Sequence, residues 1–253
     1  MIKFFRNIRQ KLHMQNKFNK YLLYALGEII LVVIGILIAL SINNWNEAEK
    51  DHKLEHVFLL KLKSNLKADI ALYKDRIEKN TLNNHHLDSS LTILKNYKSH
   101  TTVELQEHLR FIFFFHRFNP NKTTFDNLVS SGRLNIIRND SLTESLFLYY
   151  RLISQQQESL AESIDDYSRN TMGPALLEFD FIDNSLDYTL KPIKSSFGVK
   201  PIESYVENPK IVNSISYKIL FVDVIVRAYT SQITKAESII DLIDNELMPT
   251  NYD

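Results

Sequence analysis

The sequence predicts an all-α protein, an N-terminal transmembrane helix leading into an extramembrane antiparallel helical bundle with a long stalk-like first helix. Three observations predict it. Tyr21–Ile42, YLLYALGEIILVVIGILIALSI, is an apolar stretch of bilayer length, since about 20 apolar residues rising about 1.5 Å each cross a hydrocarbon core of about 30 Å. No glycine or proline occurs from Ile36 to Asn119. Beyond the span, apolar residues recur at alternating three- and four-residue spacing, the pattern of a helix with one buried face. The expected division is 1–20 as a basic tail, 21–42 as the span and 43–253 as a helical domain, with an irregular loop at about 175–208.

The tail carries Lys3, Arg6, Arg9, Lys11, Lys17 and Lys20, with no acidic residue before Glu28, whereas Glu47, Glu49, Lys50 and Asp51 follow the span. Flanking positive charge stays on the cytoplasmic side. This predicts a single-pass inner-membrane protein with a cytoplasmic N-terminus and a periplasmic C-terminal domain. Ile2, Phe5, Ile8, Arg9 and Leu12 follow a helical period, so Met1–Leu12 is expected to lie as an amphipathic helix on the inner leaflet. The competing reading of the span is a cleaved signal peptide, with Ala39-Leu40-Ser41 as the cleavage site. Its apolar stretch exceeds the roughly 7–15 residues of a signal sequence and it contains Glu28. A signal anchor therefore fits better.

Within the span, Glu28, Val32, Gly35, Ala39 and Ile42 share one stripe, and Gly35-x-x-x-Ala39 is a small-xxx-small pair. Three readings stand. The stripe Glu28, Val32, Gly35 and Ala39 meets another helix, from a second copy or another membrane protein; or Glu28 simply reaches toward the headgroups; or it serves proton or ion chemistry, which would need further intramembrane polar partners that one span does not supply. The bilayer is the one partner expected in each.

After the membrane, Leu59, Leu62, Leu66, Ile70, Tyr73, Ile77, Leu87, Leu91 and Leu94 form a seam to about Lys98, weakened where Asn80 and Asn84 fall on core positions. A kink, a turn or a register-fixing polar layer would each fit there. Thr101-x-x-Glu104 is a capping box and opens a second helix, Val103 to about His116, with an aromatic face of Phe111, Phe113, Phe114 and Phe115. Asn119-Pro120-Asn121-Lys122 is a turn. Thr123-x-x-Asp126 starts a short helix that stops at Gly132, and Ser141-x-x-Glu144 caps a long one lined by Leu142, Leu146, Tyr149, Ile153, Leu160, Ile164 and Tyr167. Met172-Gly173-Pro174 is expected to end it. Asn208 and Pro209 start the last helix, whose seam runs Val212, Ile215, Ile219, Val222, Val226, Tyr229, Ile233, Ala236, Ile240, Ile243 and Leu247.

Chemistry is sparsely marked. Formal net charge is +0, so no basic footprint for nucleic acid exists, and the absence of cysteine removes disulfide and thiolate chemistry. His52 and His56 lie one helical turn apart but lack the glutamate of H-E-x-x-H and a third ligand. His85-His86 point apart, and His108 and His116 have no evident acidic partner. No catalytic, cofactor or metal site is expected. Phe111, Phe114 and Phe115, together with Arg133 and Arg138 around Gly132, are the candidates for a binding surface. The bland alternative is that the rings pack in the core, Ser130, Asn139 and Asp140 satisfy helix ends, and the arginines sit in solvent or pair locally.

The run Lys20–Leu40, followed by Asn43-Asn44-Trp45-Asn46, resembles the opening of a family of uncharacterised single-span membrane proteins of Bacteroidota, especially flavobacteria. Phe125-x-x-Leu128-x-Ser130-Ser131-Gly132-x-Leu134, followed by Ile137, resembles that family's second recurrent segment. The resemblance implies a membrane protein of unknown function and supplies no catalytic residue. Taken with the bundle, it points to a membrane-anchored interaction or scaffold protein. A ligand-sensing receptor module working through a partner, and a metal-dependent envelope enzyme using His52 and His56, are the alternatives.

Overall fold

The computed structural model describes residues 18–176 and 200–248, and they contain helices and no strand. The expected Met1–Leu12 helix and residues 177–199 of the expected loop lie outside the described residues. Helix α1 runs unbroken over Phe18–Lys95. The chain forms two compact units, Met1–Val57 and Phe58–Asp253.

In the first unit, fourteen aliphatic side chains from Leu22 to Ile42 are exposed, each by about half or more. Among the described residues this is the one helix with a stretch long and apolar enough to cross a membrane. Soluble surfaces rarely expose so large a contiguous apolar patch. Beyond it the helix turns polar, with Asn43 donating to Glu47 (3.3 Å) and Lys53 pairing with Glu49 (3.1 Å).

The second unit is built on three long helices, the C-terminal part of α1, α4 (Asp140–Asp166) and α7 (Pro209–Leu247). Lys63 pairs with Asp244, and Asn84 donates to Asp223 (2.9 Å), so α7 runs antiparallel to α1. Asn139 donates to Glu246 (2.6 Å) and Gln232 to Gln156 (3.0 Å), so α7 is also antiparallel to α4. Consequently α1 and α4 run the same way, and something between them must bring the chain back down.

That return is made without a long helix. The capping box at Thr101 and Glu104 forms as expected and starts α2 (Thr102–Leu109), but the expected continuation to about His116 is overturned. A 3-10 turn covers Arg110–Phe113, and Phe114 is already extended. His116 lies beside Asn80 and Asn121 beside Asp69. Five extended residues at about 3.3 Å each cover the same roughly 16 Å as eleven helical residues at about 1.5 Å. An extended segment thus retraces α1 with less than half the residues a helix would need.

Extended backbone inside a bundle must find its hydrogen bonds elsewhere. Side chains of all three long helices supply them. Asn80 brackets His116, accepting from its N–H and donating to its C=O, both at 2.9 Å. The Phe118 N–H donates to the Tyr229 hydroxyl (3.2 Å), its C=O accepts from Gln157 (2.8 Å), and the Asn121 N–H donates to Asp69 (2.8 Å). The polar interruption at Asn80 and Asn84 is therefore a register-fixing layer, and α1 neither kinks nor turns there.

The segment ends in α3 (Thr123–Ser130), where the N-cap is Lys122 rather than Thr123. Gly132, at φ 66°, takes the left-handed conformation expected of a helix stop. Asn139, rather than Ser141, caps α4 by accepting from the Leu142 N–H at 2.9 Å. Met172-Gly173-Pro174 does not end the helix. Tyr167–Met172 widens into a π-helical turn and α5 (Gly173–Leu176) follows. The Gly173 N–H bonds to the Ser168 carbonyl, and a Cβ at Gly173 would lie 2.7 Å from that oxygen. The wider turn relieves the clash Pro174 would otherwise make with the preceding turn. A short α6 (Ile202–Val206) leads to α7, capped by Asn208 with Pro209 at its start as expected.

Two apolar clusters fill the unit. One gathers Leu59, Leu62, Leu66, Tyr73, Phe125, Leu128, Leu142, Leu146, Tyr149, Ile239 and Ile243, among others. The other gathers Leu87, Leu94, Leu105, Leu109, Tyr167, Tyr205 and Ile215.

Candidate functional site where the return segment meets α7

The most unusual chemistry lies where the return segment begins. Lys218 on α7 is 3% exposed. It sits in the buried stripe because Ile215 and Val222, both buried, flank it at i−3 and i+4. Its ammonium lies 5.2 Å from the ring centre of Phe115 and 5.6 Å from that of Tyr167. Among the described residues it forms no ion pair, and burial pushes its pKa down to about 8. The ring faces offset part of the cost of a charge held away from water. Tyr217 and Phe221 extend the aromatic lining, with Tyr167–Tyr217 stacked at 5.4 Å and Phe115–Phe221 tilted at 6.2 Å. The Tyr167 hydroxyl donates to the Ser214 carbonyl (2.9 Å) and so fixes its ring. An amine in this setting can exchange a proton near neutral pH or donate to a ligand, as perturbed buried lysines in functional sites do.

Phe111, Phe114 and Phe115 do not share one helix face. Phe115 turns inward to Lys218, while Phe114 is 45% exposed. Phe111 stacks on His86 at 3.7 Å and 3° and carries the Arg110 guanidinium 5.4 Å from its ring centre. Beside it, His86 Nδ1 of α1 is 3.1 Å from His108 Nδ1 of α2, one ring donating to the other. Burial, followed by the proximity of His108 and Arg110, holds the His86 imidazole below its ordinary pKa. The pair was invisible in the sequence because each histidine there lacked a neighbour of its own kind at helical spacing. Packing of α2 on α1 brings the two together.

Arg133 and Arg138 are both exposed and lie elsewhere. Their neighbour Asn139 contacts Glu246, whereas Phe115 packs on Phe221. Twenty-five residues of α7 at about 1.5 Å each separate those levels by about 37 Å. The structure therefore does not join the aromatic and arginine groups into one surface. In the span, Glu28, Val32, Gly35 and Ala39 are all exposed along α1. His52 Nδ1 lies 3.6 Å from Glu55, and no group of three metal-ligating side chains occurs among the described residues.

A second buried charge underlies the return segment. Asp69 is 2% exposed and accepts from Asn121, while its Oδ2 has no protein partner among the described residues. Burial pushes its carboxyl up to about 6, against the lowering effect of the Asn121 N–H. Burial, and then the Asp69 charge, push the Tyr149 and Tyr150 hydroxyls up as well. Asp69 falls between Leu66 and Tyr73 on the seam, a position the apolar period assigns to Ile70.

No curated protein and no solved structure matches the chain. A family match covers residues 28–172, from inside the span to the end of the π-helical turn and more than half of the chain, and on that match the protein belongs to the family of unknown function DUF6090.

Proposed function

We propose that the chain is a single-pass inner-membrane protein of the Bacteroidota envelope, its N-terminus cytoplasmic and its helical unit periplasmic, acting as an interaction or scaffold protein rather than as an enzyme. The observation that carries this reading is the row of exposed aliphatic side chains from Leu22 to Ile42 on α1. The basic residues ahead of Phe18 support the orientation. An interaction role draws support from Tyr217, Leu220 and Val224, exposed at i, i+3 and i+7 on α7. The test is crosslinking in intact cells of the native host, with the full-length protein and a Glu28→Leu variant, followed by mass spectrometry. One recurrent envelope partner, lost in the variant, supports an interaction role that includes the span. Self-crosslinks alone, or none, count against it.

A ligand-sensing module is the second reading, and Lys218 favours it. A buried amine whose pKa falls to about 8, set against a ring of the π-helical turn, combines two features frequent at functional sites.

A further inference from the structure

We propose that His86 and His108 chelate a divalent late first-row transition metal, Ni2+, Cu2+ or Zn2+, through their two Nδ1 atoms. Those atoms are 3.1 Å apart. Two imidazole nitrogens each about 2.0–2.1 Å from one ion lie about 2.9–3.4 Å apart for angles of about 90–109° at the metal. The side chains are already placed at chelating distance by separate elements. His86 is held on α1 against the parallel ring of Phe111, and His108 is held on α2, whose start is pinned by the Thr101–Glu104 capping box. Both histidines are only partly buried, so solvent or a second ligand can complete the coordination shell. Binding needs no net loss of a proton. The ring that now donates from Nδ1 shifts that proton through solvent to Nε2, leaving two neutral imidazoles with both Nδ1 lone pairs facing the ion.

The donor set selects the metal. Two nitrogens without a carboxylate suit Ni2+, Cu2+ and Zn2+ and discriminate against Mg2+ and Ca2+. The Arg110 guanidinium over Phe111 opposes added positive charge, so it weakens binding and its removal strengthens it. An ion here staples α1 to α2 and, binding the folded state alone, stabilises the unit.

The experiment uses tag-free full-length protein in detergent micelles, stripped of metal, with His52→Gln/His56→Gln as background so that this other pair does not contribute. NiCl2, CuCl2 and ZnCl2 are titrated separately while thermal unfolding is followed by circular dichroism. With metal about 100-fold above Kd, Tm is expected to rise by about 5–10 °C. His86→Gln or His108→Gln removes the shift, and Arg110→Gln tightens Kd several-fold. Electron paramagnetic resonance of the Cu2+ form, read without any further variant, shows hyperfine coupling to two nitrogens. No Tm shift in the background protein, a shift that survives both single substitutions, or a Cu2+ spectrum with one nitrogen or none overturns the proposal.

Discussion

At the residue scale, the two buried charges have opposite and calculable pH signatures. Asp69 has a folded pKa of about 6 against 3.8 when unfolded, so between those values the folded state holds more protons. Stability therefore falls as pH rises through that window, and the penalty is complete above about pH 6. Asp69→Asn keeps the acceptor for Asn121 and removes the charge. It is expected to stabilise the protein by about 2–3 kcal/mol at pH 7.5 and by little below pH 4, measured by urea unfolding. Lys218 runs the other way. Its pKa falls from 10.5 to about 8, so the unfolded state holds more protons between those values and stability rises with pH across them. Lys218→Met should stabilise by about 1–3 kcal/mol at pH 7, less the lost ring contacts, with the gain shrinking from pH 8 to 10.5. A gain that does not change with pH would show that burial is not what the amine is paying for. Both residues lie on apolar stripes, so their burial was legible in principle. Assigning the stripe positions to Ile70 and Ile219 concealed it, because a periodic pattern fixes a stripe only to within a residue.

At the element scale, the return segment is what the helical period misjudged. Phe111, Phe113, Phe114 and Phe115 sit in a stretch free of glycine and proline, and local propensity alone continues the helix. The structure stops it at Leu109 because the descent from Asn80 to Asp69 must be made in a few residues. Tertiary contacts then supply what the helix would have given itself. Asn80 is the clamp, since it satisfies both backbone groups of His116. Asn80→Ala leaves those partly buried groups without this partner, and a loss of about 1–3 kcal/mol is expected in thermal or urea unfolding. Amide hydrogen exchange should rise first in 114–122, and uniform exchange across the unit would refute a local clamp. The caps were more legible: the Thr101 box and the Asn208-Pro209 start need only residues within one turn of each other.

At the scale of the whole molecule, the second unit is an up–up–down arrangement of α1, α4 and α7, with the extended segment replacing a fourth long helix. Its three helices and their buried faces follow the apolar period of the sequence. Their relative directions do not, because direction depends on how the intervening segment travels. The span belongs to the same scale. If the exposed stripe of Glu28, Val32, Gly35 and Ala39 mediates self-association, Gly35→Ile adds bulk where close approach is needed and should lower the dimer signal of a membrane reporter several-fold. An unchanged signal would leave the span as an anchor alone.

The sequence by itself determined the helical class, the membrane-length apolar stretch, the capped helix starts at Thr101 and Asn208 and the left-handed stop at Gly132. Each rests on residues close together in the chain, where composition, period and backbone preference act directly. Only the tertiary structure decided that α2 ends early, that the chain returns extended, that Lys218 meets Phe115 and Tyr167, and that His86 meets His108. Those outcomes join residues from different elements, and the energies that choose among them arise only once the helices have packed.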